Sequence, residues 1–331
     1  MKQTVINIFS SLSMAIPLMA IYAILIGFAT FIENDYGTQA AKTLIYNTWF
    51  FNILHLWIAV CLIGMIIKNK LFERKRYSSF ILHIALVVII IGAGITRFYG
   101  KEGILNLREG EVASSYKSLE NYFNFTIIKD TNQYNISIPT DINYISSKMI
   151  NKVVIFGENS LKFKTTKVKK LSSDKRNNIQ ELNAIIEYND KQYEIILIGG
   201  EGVGEDTKIN MDDITLNVNW GAKIIDLPFS ITLNDFILER YPGSMSPSSY
   251  ESEVTLEDKV NNIKRDYNIY MNNTLDYKGY RFFQASYDED EQGSILSVNK
   301  DPGKYPTYMG YLLLIIGAIG IILIKMVDLK N

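Results

Sequence analysis

The chain has 331 residues, with 34 Lys and Arg against 35 Asp and Glu, and 47% of its residues are hydrophobic. Charge so evenly balanced excludes the strongly basic footprint of a nucleic-acid binder. A single cysteine, Cys61, excludes both an intramolecular disulfide and a CxxC thiol-exchange pair.

The average conceals four very apolar segments, at residues 12–31, 49–67, 79–96 and 308–327. A bilayer core about 30 Å thick needs roughly 20 mostly apolar residues to span it as a helix, so each segment predicts a transmembrane helix. The first has no small-residue cleavage site and leads straight into the second, which predicts a retained span rather than a signal peptide. Pro17 lies early in it, where neighbouring helices can satisfy a freed carbonyl. The following link ends in Tyr46, Trp49, Phe50 and Phe51, a cluster suited to a membrane–water boundary or to the rim of a flat ligand site.

Basic residues set the orientation. Lys2, the loop at residues 68–78 (Lys68, Lys70, Arg74, Lys75, Arg76) and the final Lys325 and Lys330 belong on the cytoplasmic side, leaving residues 97–304 on the outer face. The expected organisation is three spans (1–96), a β-rich extracytoplasmic domain (97–304), then a fourth span with a cytoplasmic end (305–331). The fold class is integral membrane α-helical with a large β-rich domain between helices three and four.

His55 and Trp57 lie in the second span and His83 in the third, within SSFILHIALVVIIIGAGITRFYG. An ionisable residue inside a span marks a functional-site candidate. Either His83 is a neutral histidine bonded to its surroundings, or its imidazole ligates iron. At about 1.5 Å per residue, the two histidines sit at depths differing by roughly 13 Å, which argues against both binding one iron.

The polar block contains no histidine, so no Ser/His/Asp triad can form there. Met149, Met211, Met245 and Met271 are candidate soft ligands, but core packing is the usual employment of Met. Short alternating runs such as NFTIIKD, YNISIP and KVVIFG predict a sandwich or barrel-like sheet rather than a βαβ domain. AIIEYNDKQYEIILI predicts a hairpin turning at Asn189-Asp190. GGEGVG at residues 199–204 lacks the following Lys-Ser/Thr of a phosphate-binding loop and predicts a flexible loop. YPGSMSPSS, which follows an amphipathic strand, predicts a surface loop.

Three stretches carry a family resemblance: SMAIPLMAIYAILIGFATFIENDYGTQAAKTLIYNTWFFNILHL, SSFILHIALVVIIIGAGITRFYGKEGILNLREGE, and NTLDYKGYRFFQASYDEDEQGSILSVNKDPG. They resemble the ResB (CcsB) component of the system II cytochrome c maturation machinery, most closely the N-terminal half of fused CcsBA proteins. The resemblance implies that the chain works in the bacterial inner membrane with a CcsA/ResC-type subunit or a fused C-terminal half. Together they carry haem b outward and attach it by thioethers to the CxxCH motif of apocytochrome c, as a holocytochrome c synthase (haem lyase) of which this chain is a non-catalytic subunit. It implies that His83 is one axial ligand of the intramembrane haem iron and that the partner supplies the other. No family ligand maps onto His55 or Trp57. Thiol-reducing thioredoxin-like proteins are further implied partners, and the outer domain is expected to cover the exit site and receive apocytochrome. The competing readings are a permanently haem-bearing electron carrier and a cofactor-free membrane scaffold. The sequence leaves open whether this is a separate subunit or the first part of a longer chain.

Overall fold

A computed structural model describes residues 12–73, 76–146, 148–171, 179–200 and 202–328. Of the expected cytoplasmic cations, Lys2, Arg74, Lys75 and Lys330 lie outside the described residues. The chain divides into two units, one formed by Met1–Gly100 with Asp301–Asn331 and the other by Lys101–Lys300.

The first unit is helical. Its long helices are α1 (Leu12–Tyr36), α2 (Trp49–Lys68), α3 (Tyr77–Tyr99) and α4 (Lys304–Asp328). All four are long and apolar enough to cross a membrane. Most of their apolar side chains stand outward, among them Phe28, Phe31, Ile91 and Ile315. A helix apolar all round and little covered by its own chain belongs in lipid or against a partner. This is a membrane protein. The helices overrun the predicted spans at several ends, most consequentially in α3, whose last turn includes Arg97 rather than leaving it to the outer block.

The helices pair through small residues. On α3, Ser78, Leu82, Ala85, Ile89, Gly92 and Thr96 recur at helical spacing and meet α4. Gly310, Gly317 and Gly320 of α4, with Gly303 just before its first residue, supply the other side of this seam. A Cβ at Gly317 would lie 2.8 Å from the backbone nitrogen of Leu82, and one at Gly310 would lie 3.1 Å from the Ala85 carbonyl oxygen. In lipid, where apolar burial drives little association, this close approach is what holds two helices together. The entry to α4 is pinned by Asp301, whose carboxylate accepts from Thr96 Oγ1 at 2.6 Å and from the Gly303 amide at 2.8 Å. α1 and α2 share two apolar clusters, Leu18–Leu54–Cys61 and Ala29–Ile45–Phe51. Ile45 comes from the link between them, a helical turn Thr38–Ala41 running into a π-helical turn Lys42–Tyr46.

Among its described residues the second unit holds fifteen antiparallel strands, from β1 (Lys101–Arg108) to β15 (Gly293–Lys300), in a ten-stranded and a five-stranded sheet. Two long strands, β2 (Val112–Lys129) and β10 (Ile214–Arg240), run side by side and serve two separate cores. In the first core, Phe123, Phe125, Leu216, Val218 and Trp220 face Phe156, Phe163, Leu182, Ile186 and Leu197 of the five-stranded sheet. This is a sandwich, and its alternation is complete in β6 (Gln180–Tyr188), where every second side chain is buried. The second core lies within the ten-stranded sheet, around Phe229, Ile231, Val254, Phe282 and Val298.

No element ends at Trp220. β10 continues through it and changes core. Its pairing with β2 shifts at Ala222/Ile224 and again between Asp226 and Ile231, around Pro228. Proline has no amide to give the ladder, so a bulge is where a long strand can hold one and bend.

The sheet around the second core curls until its two ends meet. Asp258, at the end of β11 (Pro247–Asp258), accepts from Tyr277 Oη at 2.8 Å and pairs with Lys278 at 2.5 Å. Ser252 donates to Gln284 Oε1 at 2.6 Å. Side chains rather than a continuous ladder thus close this barrel-like half.

The Asn189-Asp190 turn is present, joining β6 to β7 (Lys191–Gly200). Both turn residues have positive φ, 48° and 59°, as a two-residue primed turn requires. GGEGVG differs from its reading as a loop. Gly199 and Gly200 end β7, and Val203–Gly204 form β8. A Cβ at Gly199 would strike the Trp220 carbonyl, and one at Gly204 would lie 2.6 Å from Asn219 Oδ1. These glycines permit close passage of one sheet's backbone over the other. YPGSMSPSS is a loop only in part, since β11 begins at Pro247.

Candidate functional site

His83 sits in the second turn of α3. Leu82 packs on α4, and at about 100° per residue His83 stands well round the helix from that seam, partly exposed. Its Nδ1 lies 2.8 Å from the Ser79 carbonyl oxygen, one turn back. A carbonyl can only accept, so Nδ1 carries the proton and Nε2 keeps its lone pair. A second-sphere bond of this kind fixes the tautomer and orientation of metal-binding histidines and raises their basicity. Among the described residues no cluster of three or more His, Cys, Asp or Glu could hold a metal ion. Any metal at His83 would therefore need a ligand from beyond them.

His55 is in a different state. It packs edge-on to Tyr22 (5.1 Å between ring centroids) and Phe51 (5.4 Å), with Tyr22 Oη 3.4 Å from Nε2. Its Nδ1 is buried without a hydrogen-bond partner among the described residues. Trp57 packs against the Leu18–Leu54–Cys61 cluster. The structure does not bring His55 to His83. Arg97 of α3 lies over the Phe51 ring of α2, which fixes the register of these antiparallel helices. Counting residues from that contact puts the two histidines roughly 10–15 Å apart along the bundle. Of the methionines, Met211 is a buried core residue, while Met149, Met245 and Met271 are exposed, so the four do not gather into one site.

Residues 202–295 match the ResB-like family. The chain carries a ResB-like domain. That match begins beside the glycines of β8, takes in residues 211–220 of the first core and most of the second, and ends in β15. The chain is also 38% identical over 296 residues to Protein NrfI of Wolinella succinogenes, an alignment that takes in 87% of this chain and 32% of that protein. The chain thus spans about a third of the length of the curated relative it matches. His83 lies outside the family match, so its role rests on its own geometry.

The sequence reading missed Arg97 and Tyr22. An arginine just past GAGIT in a span is a legible signal, but nothing in the sequence says which aromatic ring it meets.

Proposed function

We infer that the chain is a component of cytochrome c maturation and that His83 takes haem as cargo. The observation that carries this is the His83 Nδ1–Ser79 bond, which leaves Nε2 as a preset iron ligand on a helix face turned from the α4 seam. The ResB-like domain and the likeness to NrfI support the maturation role. In this reading a CcsA/ResC-type segment supplies the second axial ligand, so the haem site exists only in the assembled complex. The chain holds haem for a haem lyase without making the thioether bonds itself. In this reading the chain lies in the bacterial inner membrane with both termini cytoplasmic and the β-rich unit in the periplasm, an orientation that Lys68, Lys70 and Arg76 between α2 and α3 support. His83 then lies near the cytoplasmic side, where haem can be captured without first crossing most of the bilayer.

The test is the Soret spectrum of the purified complex carrying His83→Gly. Haem content should fall at least tenfold and recover on adding imidazole, which restores the lost ligand. Unchanged haem content would leave the scaffold reading standing. Haem that chases from the complex into apocytochrome c would separate transfer from permanent electron carriage.

A further inference from the structure

Away from His83, the other end of α3 carries polar groups with nothing to bond. The Arg97 guanidinium lies over two rings, 5.7 Å from the Phe51 centroid and 5.8 Å from the Phe98 centroid. It is partly buried and makes no hydrogen bond or ion pair among the described residues. The same Phe51 ring is met by Tyr22, stacked at 5.4 Å, and by His55, edge-on at 5.4 Å. Tyr46 meets Phe51 edge-on at 5.6 Å. His55 Nδ1 is buried and unpartnered, while its Nε2 faces the Tyr22 hydroxyl.

A guanidinium has five N–H donors and cannot be neutralised, so leaving it unpaired in a half-buried aromatic setting is costly. Ring contacts recover part of that cost but use none of the donors. When Tyr22 donates to Nε2, His55 Nδ1 becomes a further buried donor. Donors without acceptors around one ring call for an oxyanion.

We propose that Arg97, with His55 and Tyr22 beside it, forms a binding site for the oxyanion group of an amphipathic ligand. The exposed Phe98 ring and the partly buried Tyr46 ring accommodate the ligand's apolar body, and the charge-assisted bonds to Arg97 fix its head. Two molecules met by a membrane protein offer that chemistry: a porphyrin, through its propionate carboxylates, and an anionic lipid, through its phosphate. The porphyrin case rests on the haem reading above. It adds a point about 20 Å along α3 from His83, too far for one porphyrin to touch both, and so a second station on a path.

Metal-free protoporphyrin IX and its dimethyl ester separate this from iron ligation, because neither carries iron for His83 to bind. The full chain in phosphatidylcholine nanodiscs is titrated with each by fluorescence, and retention of phosphatidylglycerol is read by native mass spectrometry. If the propionate is the ligand, Arg97→Gln should weaken the free acid about tenfold, one charge-assisted bond, and leave the ester unchanged. Arg97→Lys should restore part of the loss, which a folding defect would not. If the lipid is the ligand, Arg97→Gln should abolish phosphatidylglycerol retention with no change in porphyrin preference. An Arg97→Gln chain that keeps both the acid-over-ester preference and its lipid retention overturns the proposal. His83→Gly is the companion variant. Its haem loss tests the maturation reading and should leave both Arg97 measurements intact.

Discussion

His83 and His55 are the same side chain in opposite hydrogen-bonding states. The i−4 carbonyl settles the tautomer of His83 and frees one nitrogen for a ligand, while His55 has Nε2 facing the Tyr22 hydroxyl and Nδ1 buried without a partner among the described residues. Sequence could place both in spans, because a histidine among apolar residues is visible in any window. It could not distinguish them, because the distinction lies in partners one turn away or on another helix. Asp258 is a comparable case among the acids. Its carboxylate looks like one of many in an acidic stretch, yet it is buried and tied by side chains from three directions. The Lys278 ammonium, then the Asn261 amide and the Tyr277 hydroxyl, hold it well below the usual carboxylate range. A depressed carboxylate contributes stability above its unfolded pKa of about 4 and loses it as pH falls toward the folded value. Thermal unfolding between pH 7 and pH 3 should therefore show a fall that Asp258→Asn removes, with the variant less stable at neutral pH. A variant that keeps the full pH dependence would move the effect to other acids.

At the scale of elements, the α3–α4 seam turns on glycine. Gly310 and Gly317 stand seven residues apart, so they face α3 two turns apart on one stripe. Cys61 is the chain's only cysteine, which leaves room for a direct check. Ser78→Cys with Gly320→Cys should crosslink, since a Cβ at 320 lies 3.0 Å from the Ser78 Cβ, near the separation that a disulfide spans. Adding Gly317→Val puts branched carbons against the Leu82 backbone and should cut the crosslink yield several-fold on a non-reducing gel. The GAG step of α3 shows the limit of reading such positions by type. A Cβ at Gly92 would meet the Thr307 backbone nitrogen at 2.8 Å, whereas one at Gly94 would meet nothing within 4 Å. Only the partner helix tells the two apart. β10 shows the same limit in the sheet, because the Pro228 bulge that carries one strand between two cores looks in sequence like a break between two shorter strands.

For the whole molecule, the strand unit contains both of its cores within Lys101–Lys300. No disulfide can staple it. Residues 101–300 expressed alone should fold as a soluble β-protein, with a far-UV spectrum of antiparallel sheet and a single cooperative melt or two, one for each core. A molten, non-cooperative transition would mean that the helices complete it. The sequence alone determined that four helices are long and apolar enough to cross a membrane and that a β-rich block of this kind accompanies them. Those properties follow from hydropathy summed over some twenty residues and from the two-residue alternation of strands, both of which are local. The tertiary structure decided which glycines are seams and that one strand serves two cores. It also decided that Arg97, counted by its position with the polar block, belongs to a helix and meets Phe51. These depend on which surfaces meet across long stretches of chain, and such pairings are set by packing and hydrogen-bond satisfaction rather than by any local pattern.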